Sequence, residues 1–566
     1  MRVDGETAAR ARGIALQNAL EHGKTSAGII VSKLLGEVPA LRSRAGEIAP
    51  EAARIASEVN AMAPSAVRAE LESAHADRLA APRARDERGP LPPLPGAERG
   101  RVVTRFPPEP NGYPHIGHAK AAVINAEYAK MYGGGCILRM DDTNPEAERL
   151  EYYAAINVGL EWLGLEFSRK KNTSDDMREI LSRGRALVES GGAYVCTCKK
   201  EDISKGRRAM KACACSARDA ADHGERWEKM HTSYRPGTAI VRFRGDMASQ
   251  NTVMRDPALF RIIDARHPLL GAEHRVWPSY DFAVAVEDSL DGVTHAFRSK
   301  EYELRAELYS SLLGAMKMRE PRMDVFSRLD FEGMPVSKRE LRPLIEGGAV
   351  SWYDDPRLPT LEGMRRRGVV PQAIRKFVLS LGFTKADTTA PFGALEAINR
   401  AEIDASCPRL HMVLGAREAQ VSGLPDTVEL QNHPSGALGK RTVRPRGGIL
   451  LAAADADGAA ELWLIGLGNV ALERDGAGLR GRYVDGDMSS GNARVQWVAR
   501  DGAVALTVAV PGPLMVNGRY DEKSLREEAG MVEAAWAALP EGQAVQLVRY
   551  GYCRKDSAAQ AVRTHG

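Results

Sequence analysis

The chain has 566 residues, 44% hydrophobic and 27% charged, enough to bury large cores and to divide into about three to five domains of ~150 residues. No run approaches the ~18 apolar residues of a membrane-spanning helix, and the opening "MRVDGETAARARGIALQNAL" has no apolar leader core, so the expectation is a cytoplasmic protein with no membrane partner. The net charge of +4 is small, yet basic clusters at 336–343, 364–376 and 439–446 would let one face hold a polyanion, or would simply be solvated.

In chain order, residues 1–80 repeat Ala, Leu and Ile at helical spacing, as in "AARARGIALQNALEHG", which predicts a helical extension with no chemistry of its own and a candidate dock for another protein. Residues 81–100 carry five prolines and read as a semi-rigid linker. From Arg101 strands and helices alternate: "RVVTRF", "HIGHAKAAVINAEYAKMYG", "CILRM", "AERLEYYAAINVGLEWLGL". That alternation predicts a multidomain α/β protein whose parallel sheet binds ligands at the carboxyl ends of its strands. The first half of the sheet spans 101–190; a cysteine-rich insertion spans 191–275; the second half spans 276–335. A loop and helical connector fill 336–405, and Val, Thr and Gly alternation predicts an all-β region over 406–566. There is no obvious internal repeat.

The stretch "TRFPPEPNGYPHIGHAKAA" (104–122) falls at such a strand end. Its prolines fix the path, Gly112 and Gly117 leave room for a ligand near the backbone, and a helix starting near Ile116 turns its free amides toward the same space as His115 and His118. Two imidazoles at a helix N-terminus suit a polyphosphate whose charge grows in a transition state. The bland reading is a capped helix with two incidental histidines.

Seven cysteines are present, four of them at 196, 198, 213 and 215. Two C-x-C pairs closing one loop fit tetrahedral zinc better than a disulfide scaffold, although C-x2-C is the commoner knuckle. Cys196, Cys198, Cys213 and Cys215 are therefore candidate ligands, with His223 a possible substitute and free thiols in a small core the alternative.

The 104–122 stretch resembles the HIGH signature of class I aminoacyl-tRNA synthetases, in the glutamyl and glutaminyl branch. "MPVSKREL", about 220 residues on, is similar to the KMSKS loop; Ser337 and Lys338 match, whereas Pro335 stands where the first lysine of that signature would be. The resemblance implies a Rossmann-like catalytic domain that uses ATP with Mg2+, and tRNA(Glu), or also tRNA(Gln), as partner. Pro110, Asn111, Gly112, His115, Gly117, His118, Ser337 and Lys338 would bind ATP, with His115, His118 and Lys338 catalytic. Arg105, Glu109, Asp141, Tyr280 and Arg298 would hold L-glutamate; glutaminyl enzymes have a neutral residue where Arg298 stands. Asp141 and Asp142 could instead cap a turn or touch magnesium. Zinc occurs in the insertion of some glutamyl-type enzymes, and β-barrels in place of a helical anticodon domain point to the archaeal and eukaryotic type. The rivals are a glutaminyl enzyme and a non-catalytic tRNA-binding scaffold on a synthetase core.

Overall fold

The computed structural model describes residues 4–38, 41, 44–75, 91–336, 338–457, 461–475, 478–484 and 493–566. It divides into two units, Met1–Pro92 and Pro93–Gly566. Among the described residues the first holds four α-helices, α1 (Gly5–His22), α2 (Ala27–Glu37), α3 (Ala45–Asn60) and α4 (Pro64–Ala74). Asp4 and Ser26 cap α1 and α2 by accepting from Thr7 N and Ile29 N, satisfying amides that a helix start leaves free. Ile14, Leu16, Ile30, Leu34, Ile55, Val59 and Leu71 form its core.

The linker expected over 81–100 is shorter than that. Residues 76–90 lie outside the described ones, but Leu94 is buried, its amide donates to Tyr132 Oη at 2.8 Å, and the Pro95 carbonyl faces His295 Nε2 at 3.2 Å. Proline richness sets the extended path of this segment, while one buried leucine decides that it packs.

In the second unit, β1 (Val103–Phe106), α5 (Ile116–Met131), β2 (Gly135–Met140), α6 (Leu150–Trp162) and β3 (Arg169–Asn172) alternate as expected. β1, β2 and β3 pair in parallel. The insertion follows: α7 (Met177–Glu189), β4 (Ala193–Cys196), α8 (Lys200–Arg208), α9 (Ala220–Thr232), β5 (Ile240–Phe243), β6 (Ala258–Ile262) and β7 (Val276–Pro278), its four strands antiparallel in the order β4-β5-β6-β7. The parallel pattern resumes with α10 (Tyr280–Leu290), β8 (His295–Ser299), α11 (Ala306–Ala315) and β9 (Arg322–Phe326). β8 lies beside β1, tied at its start by Thr294 N donating to Val103 O at 2.8 Å. β8-β9 therefore continues β3-β2-β1 on the far side of β1, joined to it by that bond rather than by a strand ladder, and the order reverses between β1 and β8, the place where open α/β sheets bind ligands. One core joins the insertion to α10 and α11 through Trp227, Phe260, Phe282 and Leu312.

Then come β10 (Leu329–Phe331), α12 (Lys338–Glu346), α13 (Leu361–Arg367), α14 (Pro371–Ser380), β11 (Thr388–Ala390) and α15 (Phe392–Ile403). Among the described residues the remainder is mainly β, two seven-stranded barrel-like sheets with two small hairpins and one short helix at Ala453–Ala456, around separate cores centred on Trp497 and Trp536. Among the described residues no helix is long and apolar enough to cross a membrane.

Candidate active site

A cavity of 670 Å³ opens between the carboxyl ends of β1, β2 and β8 and the start of α5. On one side stand His115, Gly117 and His118. His115 is the cap of α5: its Nδ1 accepts from Gly117 N at 3.1 Å, while His118 Nδ1 accepts from His115 N at 3.3 Å. Each ring thus has its Nδ1 occupied as an acceptor, which puts the proton of the neutral ring on Nε2. Burial holds both rings neutral, pushing His115 well below the ordinary histidine range and His118 down to about 4. Gly117 is required here because a Cβ would stand 2.9 Å from His115 Cε1. The turn before α5 is clamped from outside by Ile116 N donating to Pro359 O and Leu361 N to Pro114 O, both at 2.9 Å.

Across the cavity stands Arg298, at the end of β8 and 4% exposed. Its guanidinium lies over the Tyr309 ring at 4.3 Å and near Tyr280 at 5.8 Å, and its nearest carboxylate is Asp288 at 3.9 Å. Among the described residues its Nε and Nη2 have no hydrogen-bond partner, and neither does Oδ1 of Asp141, also buried on the cavity wall. Burial, opposed by Arg139 and reinforced by Glu109, Asp142 and Glu148, pushes the Asp141 carboxyl up to about 8. The site therefore holds a buried cation whose nearest carboxylate is a shared one 3.9 Å away and a buried acid, both with hydrogen-bonding atoms left without partners.

Glu109, Asn111 and Tyr280 line the same cavity. Arg105 does not. It is fully buried behind the wall, donating through Nε and Nη2 to Asp288 at 3.0 and 3.2 Å and through Nη1 to Phe297 O at 2.8 Å. The expectation that Arg105 frames a substrate carboxylate is corrected accordingly: its charge is already matched by Asp288, whose carboxyl Arg105, Arg139 and Arg298 hold below the usual range against the effect of burial. Pro110 and Gly112 likewise stand outside the cavity lining. Ser337 and the Lys338 side chain lie outside the described residues, although the α12 backbone begins at residue 338, next to Val336 of the lining.

Lys120 belongs to the site, and sequence reasoning missed it. It is 1% exposed and donates from Nζ to Ser327 O at 2.6 Å and Ser327 Oγ at 2.9 Å, and burial lowers it to about 8. A lone lysine in the small-residue helix segment "HAKAAVIN" was the available hint.

In the insertion, the four sulfurs of Cys196, Cys198, Cys213 and Cys215 lie within 4.8 Å of one another, with Cys196–Cys213 and Cys198–Cys215 each at 3.7 Å. Tetrahedral zinc with ~2.3 Å bonds sets sulfurs about 3.8 Å apart, so the cluster has the right size. His223 stands apart from it, with Nδ1 accepting from Val195 N.

A parallel sheet that reverses order beside a histidine-capped helix is the nucleotide-binding core of class I synthetases, and residues 101–405 match the family model described as "tRNA synthetases class I (E and Q), catalytic domain". The chain belongs to that family. Among its relatives are proteins named glutamate–tRNA ligase along their whole length. That of Cenarchaeum symbiosum (strain A) is 58% identical over 99% of this chain and 100% of the relative. That of Nitrosopumilus maritimus (strain SCM1) is 53% identical over 100% of both, and that of Korarchaeum cryptofilum (strain OPF8) 37% identical over 96% of both.

Proposed function

We propose that the chain is a glutamate–tRNA ligase, activating L-glutamate with ATP and transferring it to the terminal adenosine of tRNA(Glu). The observation that carries this is a pair of buried ionisable groups with unpartnered hydrogen-bonding atoms: Arg298 and Asp141 line one cavity. Glutamate brings a carboxylate for the first and an ammonium for the second. Glutamine would leave Arg298 with only the Asp288 carboxylate that Arg105 and Arg139 already share, which argues against the glutaminyl reading.

The α-carboxylate of glutamate attacks the α-phosphorus of ATP, the bond to the bridging oxygen breaks, and pyrophosphate leaves. His115 and His118, presenting Nε2–H, and the positive end of the α5 dipole stabilise charge on the phosphate oxygens without exchanging protons, the amides of Ile116 and Gly117 being already bonded to Pro359 O and His115 Nδ1. Lys338, brought in by its loop, would follow the departing pyrophosphate, and Mg2+ would accompany the ATP phosphates. The 2'-hydroxyl of the terminal adenosine then attacks the adenylate carbonyl and AMP leaves. Arg261 lines both the cavity and an adjoining 410 Å³ groove between Glu146 and the insertion, a path by which an RNA end can enter.

The test is aminoacylation with glutamate and glutamine crossed against tRNA(Glu) and tRNA(Gln), alongside ATP–pyrophosphate exchange. Glutamate on tRNA(Glu), with exchange that needs both glutamate and tRNA, is the expected result; glutamate on tRNA(Gln) as well would mark a non-discriminating enzyme. Exchange with glutamine alone would sink the reading, and no adenylate with any amino acid would favour the scaffold.

The cysteine cluster fits one structural zinc. Elemental analysis should find one zinc per chain, and Cys213→Ser should lower the melting temperature and release it; a metal-free protein with unchanged melting in chelator would refute this.

A further inference from the structure

Asp141 is central to glutamate recognition as proposed above; its amide is held within the catalytic half by donating to Pro108 O at 2.9 Å, and a second hold on its loop comes from the insertion. Asp141 opens the loop 141–148 between β2 and α6. Two points of this loop converge on one atom, His267 Nε2: it hydrogen-bonds the Asp142 carbonyl at 3.0 Å, and the Glu148 carboxylate lies 3.1 Å from it as a charge contact rather than an aligned hydrogen bond. Asp142 Oδ2 lies 3.6 Å from the same nitrogen. His267 stands in the hairpin between β6 and β7, in the insertion.

That hairpin is built around the ring. His267 and Gly271 exchange backbone hydrogen bonds of 2.8 and 2.9 Å, with Gly271 at φ +62° making the turn. The amides of Leu269 and Leu270 both donate to His267 Nδ1, at 3.2 and 3.1 Å, so the neutral ring carries its proton on Nε2, toward the loop. Trp277 stacks on the ring at 5.2 Å and 24°, and the side chain is fully buried. The loop is closed on itself by Asn144 N donating to Glu148 Oε1 at 2.6 Å. Meanwhile the Asp142 carboxylate is occupied by Ser174 N, Ser174 Oγ and Tyr153 Oη at 2.7–2.8 Å.

We propose that His267 is a positioning residue for the amino-acid pocket: from the insertion it pins both ends of the loop that carries Asp141, so that ammonium recognition depends on where the insertion stands. The inference rests on the function proposed above. The insertion thereby gains a second role, since an RNA end that shifts the β6–β7 hairpin would loosen one of the two holds on the Asp141 loop, the other being Pro108 O and the Ser174 and Tyr153 contacts of the catalytic half.

The experiment is steady-state ATP–pyrophosphate exchange in the presence of tRNA, with KM for glutamate and for ATP measured separately in full-length His267→Ala, His267→Gln and Asp141→Asn proteins and in the His267→Ala/Asp141→Asn double variant. His267→Ala should raise the glutamate KM about tenfold or more, because small misplacements of a binding group are costly, while the ATP KM stays within about twofold. His267→Gln, which can offer an N–H at the Nε2 position, should recover most of the loss. In the Asp141→Asn background His267→Ala should add little, the non-additivity expected of residues acting through one another. Equal rises in both KM values, full additivity, or no rescue by Gln in a protein of wild-type melting temperature would overturn the proposal. Wild-type exchange that ignores glutamate would instead defeat the functional reading, before any variant is made.

Discussion

The two arginines on which glutamate recognition was expected to rest play different physical parts. Arg298 has unengaged donors on the cavity wall, and Arg105 is consumed by Asp288 behind it. Arg298→Gln should therefore lower kcat/KM for glutamate about a hundredfold, the worth of a charged hydrogen bond, with little change in melting. Arg105→Leu should cost about 3 kcal/mol of stability, because a buried ion pair is broken from one side. Urea denaturation and exchange kinetics on both variants would show one effect in each column; matched activity and stability losses in both would contradict the division. Sequence could bring both arginines to the site through their motifs. It could not say which stood on the wall, because Asp288 lies 183 residues from Arg105 and only the folded sheet brings them together. The sequence around His267 carried no comparable pointer, since a histidine's tautomer is decided by amides whose direction depends on a tight hairpin.

At the level of the element, α5 shows how much a spacing of three residues can specify. With His115 at the cap and His118 one turn on, each ring fills its Nδ1 with a backbone amide. Gly117 is the residue that permits the first of these contacts. Gly117→Ala should tilt the His115 ring away and slow exchange by about tenfold to a hundredfold, with circular dichroism unchanged; wild-type rates would show that the His115 orientation is irrelevant. This motif was legible because the strand, the prolines and the helix start all lie within twenty residues of one another. The linker was not, because composition cannot reveal that Leu94 finds a buried site against Tyr132 and that His295 reaches Pro95.

For the whole molecule, the acids buried in and behind the cavity set a dependence on pH. Burial raises Asp141 to about 8, Glu287 to about 7 and Asp142 to about 6, from ordinary values of 3.8, 4.5 and 3.8. Each is a folded-state value above the unfolded one, so the folded chain holds extra protons. The stability they confer is complete below their unfolded values and is lost as pH rises through 6, 7 and 8. Thermal melts of the free protein should fall across that range, and the shift produced by added glutamate should grow with pH as Asp141 becomes the carboxylate that an ammonium needs. A flat profile, or a glutamate shift that shrinks toward pH 8, would contradict this. The reversal of the sheet between β1 and β8 has one more consequence, for the order in which the chain is made. β1 leaves the ribosome about 190 residues before β8, its neighbour on the side away from β2, and Arg105 and Arg139 must wait for Asp288. The catalytic sheet is thus a late product of translation, its long-range pairing possible only once the insertion has been completed. A chain ending at residue 275 should be degraded or aggregate in cells, and so should one ending after α15, because Ile403 and Val370 share a core with Tyr552, and Leu341 and Leu358 with Leu514.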